Sequence, residues 1–119
     1  TWSTIHRKGS KKIKLKPTIE GYVLKEILEQ NFILFSTVMT KRKRIEKAGK
    51  FDEKLKSCQD WDMWVRLCKN KTKVGVVKKS LVNIYQNSKT RIGISQDAIF
   101  GYQRFIKKHY KEYLNKKMY

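Results

Sequence analysis

The sequence predicts a mixed α/β fold, in which helices pack on a few short strands. Three observations lead there. Residues 59–69 form a helix pattern that is apolar on several sides, which belongs at the centre of a domain. Short runs rich in β-branched and aromatic residues recur at 32–39, 74–77 and 81–85. Hydrophobic residues make up 39% of the 119, with three Trp, six Tyr and five Phe, which is enough for a core and too much for a disordered tail.

The elements follow in chain order. Residues 1–16 are basic, are broken at Gly9 and Ser10, and read as irregular structure or a strand remnant. The chain opens without Met, as a portion of a larger domain would. Pro17 and Thr18 suit a helix start, Val23, Leu24, Ile27 and Leu28 give it an apolar stripe, and Asn31 ends it. Phe32 to Met39 has the length of a buried strand. Thr40 is positioned to cap a helix whose inner face is Ile45 and Ala48, with Gly49 as the residue that stops it. Ser57 is placed to cap the helix at 59–69, which carries Trp61, Trp64, Val65, Leu67 and Cys68. Two short strands, 74–77 and 81–85, lead to a polar loop at 87–94. A last helix runs from about Ser95 toward Leu114. Its apolar stripe is Ile99, Tyr102, Ile106, Tyr110 and Tyr113, and Arg104, Lys107, Lys108 and Lys111 lie opposite.

The net charge is +19, from 29 basic and 10 acidic residues, and points to a polyanionic partner. Lysine supplies 23 of the 29 and is spread along the chain, whereas specific nucleic-acid sites lean on arginine. The four-residue run Lys41-Arg42-Lys43-Arg44 reads as a solvated helix face rather than a nucleic-acid patch. No apolar run approaches the length of a membrane span, and no signal-peptide core follows the start. Cys58 and Cys68 match no zinc spacing and read as separate thiols in a reducing compartment. His6 and His109 have no partner spacing; His109 falls beside the apolar face of the last helix as a packing residue.

Chemistry concentrates between Gly49 and Leu67. Asp60 and Asp62 stand at the start of an apolar helix among tryptophans, where a charge is costly unless paired or used. The spacing Ser57-x-x-Asp60 is also that of a helix cap, and acids favour helix N-termini. Periodicity alone favours the cap.

The order of these pieces resembles the family 2 glycosyltransferases of the GT-A fold. The likeness rests on Ser36, Thr37, Val38 and Met39, then Gly49, Phe51, Asp52 and Glu53, then Gln59, Asp60, Trp61, Asp62, Trp64, Arg66 and Leu67. It covers roughly residues 17–106. Two positions depart from the family pattern. Lys50 replaces a second glycine, which is tolerable where φ is negative, and Gln59 replaces a glutamate.

The resemblance implies that residues 1–119 are the C-terminal, acceptor-side portion of a GT-A domain, with 95–119 as a basic amphipathic helix within it. The nucleotide-binding half would lie outside these residues, since no early parallel strands and no metal-binding Asp-x-Asp at a strand end are legible here. The complete enzyme would move a sugar from a nucleotide-diphospho-sugar to a glycan or lipid-linked acceptor with inversion. Asp60 would be the general base, and Gln59, Trp61, Asp62 and Arg66 would bind acceptor or hold Asp60. A divalent metal, Mn or Mg, would be bound by the other half. The string Asp60-Trp61-Asp62 is not read as its ligand, because residues two apart on a helix diverge. No Gln-x-x-Arg-Trp string of processive synthases occurs. The expected location is cytoplasmic, with the basic last helix compatible with an anionic inner membrane face. The alternatives are a small basic nucleic-acid-binding module and a non-catalytic interaction domain.

Overall fold

The computed structural model of this chain describes residues 1–86 and 96–115. It has a three-stranded sheet and five α-helices: β1 (Trp2–Arg7), β2 (Ile13–Leu15), α1 (Leu24–Glu29), α2 (Arg42–Lys47), α3 (Gln59–Lys69), β3 (Ser80–Gln86), α4 (Gln96–Lys108) and α5 (Tyr110–Leu114). A 3-10 turn, Phe35–Thr37, precedes α2. The mixed α/β class holds.

The sheet order is β2-β1-β3. β1 pairs antiparallel with β2 and parallel with β3. Of the two readings of residues 1–16, strand holds rather than irregular structure, and β1 supplies an early parallel strand that was not expected. Trp2 to Arg7 alternates, with Ser3 and Ile5 facing inward, and Gly9 at φ +73 supplies the left-handed turn into β2. The basic composition hid this hairpin. β2 is a short edge strand whose lysine discourages further pairing. β3 extends one residue past each end of its expected span.

Helix α3 has the bounds the sequence predicts. It forms the core with Val23, Ile27 and Leu28 on one side and Phe105 of α4 on another. Its own contribution is Met63, Trp64, Val65, Leu67 and Cys68. Burial of such side chains is worth roughly 1.5–3 kcal/mol each. Trp61 stacks on Phe105 with ring centroids 4.5 Å apart.

Several local expectations are corrected. Pro17 and Thr18 do not open a helix: Gly21, at φ +93, pairs with Val74 as an isolated antiparallel bridge, and α1 begins only at Leu24. This bridge is also all that forms of the strand expected at 74–77. Phe32–Met39 enters no ladder among the described residues; the Thr37 amide and hydroxyl both donate to Leu34 O, at 3.0 and 2.8 Å, and fold the run into the 3-10 turn. Thr40 does not cap α2, whose N-cap is Lys41.

At the other end of α2 the expected stop is present. The Gly49 amide donates to Glu46 O and the Lys50 amide to Ile45 O, at 3.0 and 2.9 Å, the two bonds of a Schellman motif. Lys50 itself lies at φ +60, so glycine's absence there is a strained choice and not the tolerable one expected from negative φ. Ser57 does not cap α3 either. Cys58 is the N-cap, at φ +60, and the Ser57 hydroxyl shares its hydrogen between Asp97 O and Ala98 O, each at 3.2 Å.

The last helix is broken at His109 and turned relative to its apparent stripe. Its inward residues are Gly101, Phe105, His109 and Glu112, while Ile99, Tyr102 and Tyr110 are exposed. Lys108, assigned to the outer face, points inward to two aspartates. Two contacts override the apolar count. One is the close approach of Gly101 to Ser57, and the other is a buried polar lock described below. Ser95 and the loop expected at 87–94 lie outside the described residues.

A Cβ on Gly101 would lie 2.0 Å from Ser57 Oγ and 2.8 Å from the Ser57 amide nitrogen. Because backbone must then move, Gly101→Ala is expected to destabilise the chain by about 1–3 kcal/mol. Urea unfolding of the two proteins side by side measures it.

Candidate functional site

The two acidic residues of α3 have opposite surroundings. Asp60, in the first turn, is half-buried. Its Oδ1 accepts a hydrogen bond from the Trp61 amide at 2.8 Å, and its Oδ2 accepts one from Asn31 Nδ2 at 3.2 Å. The first bond satisfies one orphan amide of the helix start, so Asp60 does part of a cap's work without the Ser57 partner. Among the described residues no cation lies within ion-pair distance of it. The Asn31 Oδ1 beside it is buried and has no partner among the described residues.

Asp62 is fully buried and ringed by cationic or donating groups. Arg66 donates to its Oδ2 through Nε and Nη2, at 2.9 and 2.7 Å. Lys108 Nζ lies 2.9 Å from Oδ1, and His109 Nε2 lies 2.8 Å from the same oxygen. A carboxylate only accepts, so His109 carries its hydrogen on Nε2. Its Nδ1 is buried without a partner among the described residues. The network extends outward. Lys108 also donates to Asp52 Oδ2 at 2.7 Å, and Arg66 Nη1 donates to Ala48 O at the end of α2. Asp52 further accepts the Lys54 amide at 3.0 Å, which closes the turn after α2.

Burial pushes the Asp62 carboxyl up, but hydrogen bonds from His109, Arg66 and Lys108 outweigh it and hold the group well below the ordinary carboxylate range. The Lys108 hydrogen bond lowers Asp52 in the same direction. Burial raises both thiols, Cys68 to about 11, and neither cysteine is in a disulfide.

The remaining sequence candidates divide in the same way. Arg66 belongs to the Asp62 lock. Trp61 is half-buried, with its indole N–H donating to Ile27 O at 2.6 Å, while the buried Trp64 donates to Ile33 O at 3.1 Å. Gln59 is half-buried one residue before Asp60. Asp60, Gln59 and Trp61 thus share the half-buried start of α3, while Asp62 lies in the interior and the half-buried Arg66 is turned onto it. Sequence reasoning missed Asn31, Asp52, Lys108 and His109 as partners. The signal for the last two was the spacing Gly101, Phe105, His109, Glu112, a helix face that apolar counting ranks low because half of it is polar.

Among the described residues no three His, Cys, Asp or Glu side chains gather to hold a metal ion. The carboxylates of Asp60 and Asp62 meet different neighbours and form no pincer. Concave regions among the described residues lie elsewhere. One is a shallow groove of about 460 Å³ along α4, another an apolar cleft of about 490 Å³ between the sheet and residues 32–40. Asp60 lines neither. No helix of the described residues is long and apolar enough to cross a membrane. No model of a known protein family, no curated protein and no solved structure matches the chain.

Replacing Asp62 leaves the partly buried Arg66 guanidinium without a counter-ion and Lys108 with Asp52 alone. Asp62→Asn is therefore expected to cost about 3–5 kcal/mol, read from urea midpoints. The wild type has a matching pH dependence. A depressed folded pKa contributes stability that is complete above the unfolded aspartate value near 3.9 and is lost as pH falls through the folded value. Stability should thus stay level from neutral pH to about 5 and fall below about 4. In Asp62→Asn that acid slope should be shallower.

Proposed function

We propose that this chain is the acceptor-side portion of an inverting glycosyltransferase of the family 2 type, with Asp60 as its general base. The observation that carries this reading is the division of labour between two carboxylates on one helix. Asp62 is consumed by the fold. Asp60, two residues earlier, is held in place by Asn31 and the Trp61 amide, is reachable from solvent, and has a lone pair left on each oxygen. Charges of this kind at an apolar helix start are what an acid–base site needs.

In the proposed reaction, an acceptor hydroxyl oxygen attacks C1 of the donor sugar from the face opposite the leaving group. The C1–O bond to the nucleoside diphosphate breaks, the diphosphate departs with the bonding pair, and the hydroxyl proton passes to Asp60. Gln59 and Trp61, its neighbours at the start of α3, would contact the acceptor. Arg66 and Asp62 act from beneath by fixing the helix. A divalent metal would neutralise the departing diphosphate, bound outside these residues.

The test is nucleoside diphosphate release by the complete reading frame with a panel of donor sugars. Asp60→Asn should lower turnover by about 10²–10⁴-fold while donor KM and the circular dichroism spectrum stay unchanged. Equal activity in the two proteins would assign Asp60 to helix capping alone and move the base elsewhere.

A further inference from the structure

Of the apolar stripe that the sequence assigns to the interior of the last helix, Ile106 and Tyr113 pack against the core, while Ile99, Tyr102 and Tyr110 face solvent beside Phe100. Ile99 is 62% exposed, Phe100 63%, Tyr102 47% and Tyr110 57%. At 100° per residue, Ile99, Tyr102, Ile106 and Tyr110 fall on one arc of α4 and its continuation into α5. The groove along α4 is lined by Tyr102, Gln103, Ile106, Lys107 and Tyr110, so the stripe is continuous. Arg104, Lys107 and Lys111, all exposed, occupy the adjoining arc. The acids of this segment do not offset them, since Asp97 pairs with Lys56 and Glu112 with Lys69.

We propose that this face of α4–α5 docks on an anionic lipid bilayer, with the helix axis in the plane of the headgroups. An apolar stripe edged by a basic one is the pattern of a helix that lies in an interface. Its tyrosines suit the boundary between acyl chains and water. Charge selects the occupant. A chain of net charge +19 repels a second copy of itself and is drawn to an anionic surface. A nucleic acid would match the charge and leave Ile99 and Phe100 in water. The proposal does not depend on the glycosyltransferase reading and is tested without activity.

The experiment is co-sedimentation of the 119-residue chain with vesicles of phosphatidylcholine alone and of phosphatidylcholine with about a third phosphatidylglycerol. The chain should pellet with the anionic vesicles and stay in solution with the neutral ones. Each lysine near the surface contributes about fivefold to partitioning, so Lys107→Glu with Lys111→Glu should reduce binding by at least about twentyfold. Ile99→Asp should weaken it through the apolar stripe. These positions are exposed, and unchanged circular dichroism confirms that the variants fold. The charge-matched control, Lys41→Glu with Lys43→Glu on α2, should retain most of the binding. Equal losses in the control, equal binding to neutral vesicles, or binding to duplex DNA with none to vesicles would each overturn the proposal.

Discussion

The buried carboxylate of Asp62 is the constraint on which the other helices depend. Taking an ion out of water costs several kcal/mol unless its lone pairs are filled, and here three side chains fill them. They come from different places. Arg66 is one turn along α3, and Lys108 and His109 stand where α4 gives way to α5. Through Arg66 the lock reaches Ala48 O at the end of α2, and through Lys108 it reaches Asp52 in the following turn. One carboxylate therefore ties α3 to the end of α2 and fixes how α4 is rotated. That rotation sets Phe105 against Trp61 and leaves Ile99 and Tyr102 of α4 outside.

The proposed site depends on this frame through α1. A six-residue helix is marginal by itself, because the nucleation cost is spread over few hydrogen bonds. Its last turn is instead held by side chains from the core. Trp61 donates to Ile27 O and Tyr113 to Leu28 O, and just beyond the helix Trp64 donates to Ile33 O. Each bond satisfies a carbonyl that would otherwise be orphaned in a half-buried place. The segment between them carries Asn31, whose amide holds Asp60. The tryptophans beside Asp60 thus act on it by shaping its support.

Much of this was legible where a local rule decides the structure. The bounds of α3 follow from its apolar periodicity, the α2 stop from Gly49, and β3 from a β-branched run. The sequence does not announce features decided by a distant partner. Phe32–Met39 has the composition of a strand, yet a strand needs a ladder, and without one Thr37 closes a turn on Leu34. β1 is hidden because its inward residues are only Ser3 and Ile5. The face of α4 was misread because hydrophobic counting cannot see that Gly101 must clear Ser57 or that His109 and Lys108 must reach Asp62. At the candidate site, the residue types at 59–62 were legible from the motif. Their supports, Asn31 among them, come from other elements and carry no pattern.

Helix geometry explains why two aspartates so close in sequence have such different positions. Residues two apart on an α-helix project about 200° from each other. When one faces the core, the other must face outward. An Asp-x-Asp string on a strand end can converge on one ion, whereas on a helix it separates one carboxylate for structure from one for solvent. The acids of this lysine-rich chain are scarce, and Glu46, Asp52, Asp62, Asp97 and Glu112 are engaged in ion pairs. Asp60 is held by an amide and a backbone N–H instead. Neutral donors orient a carboxylate without engaging it in an ion pair. In the proposed enzyme, the lock at Asp62 would give the helix its rigidity so that Asp60 need not contribute to it.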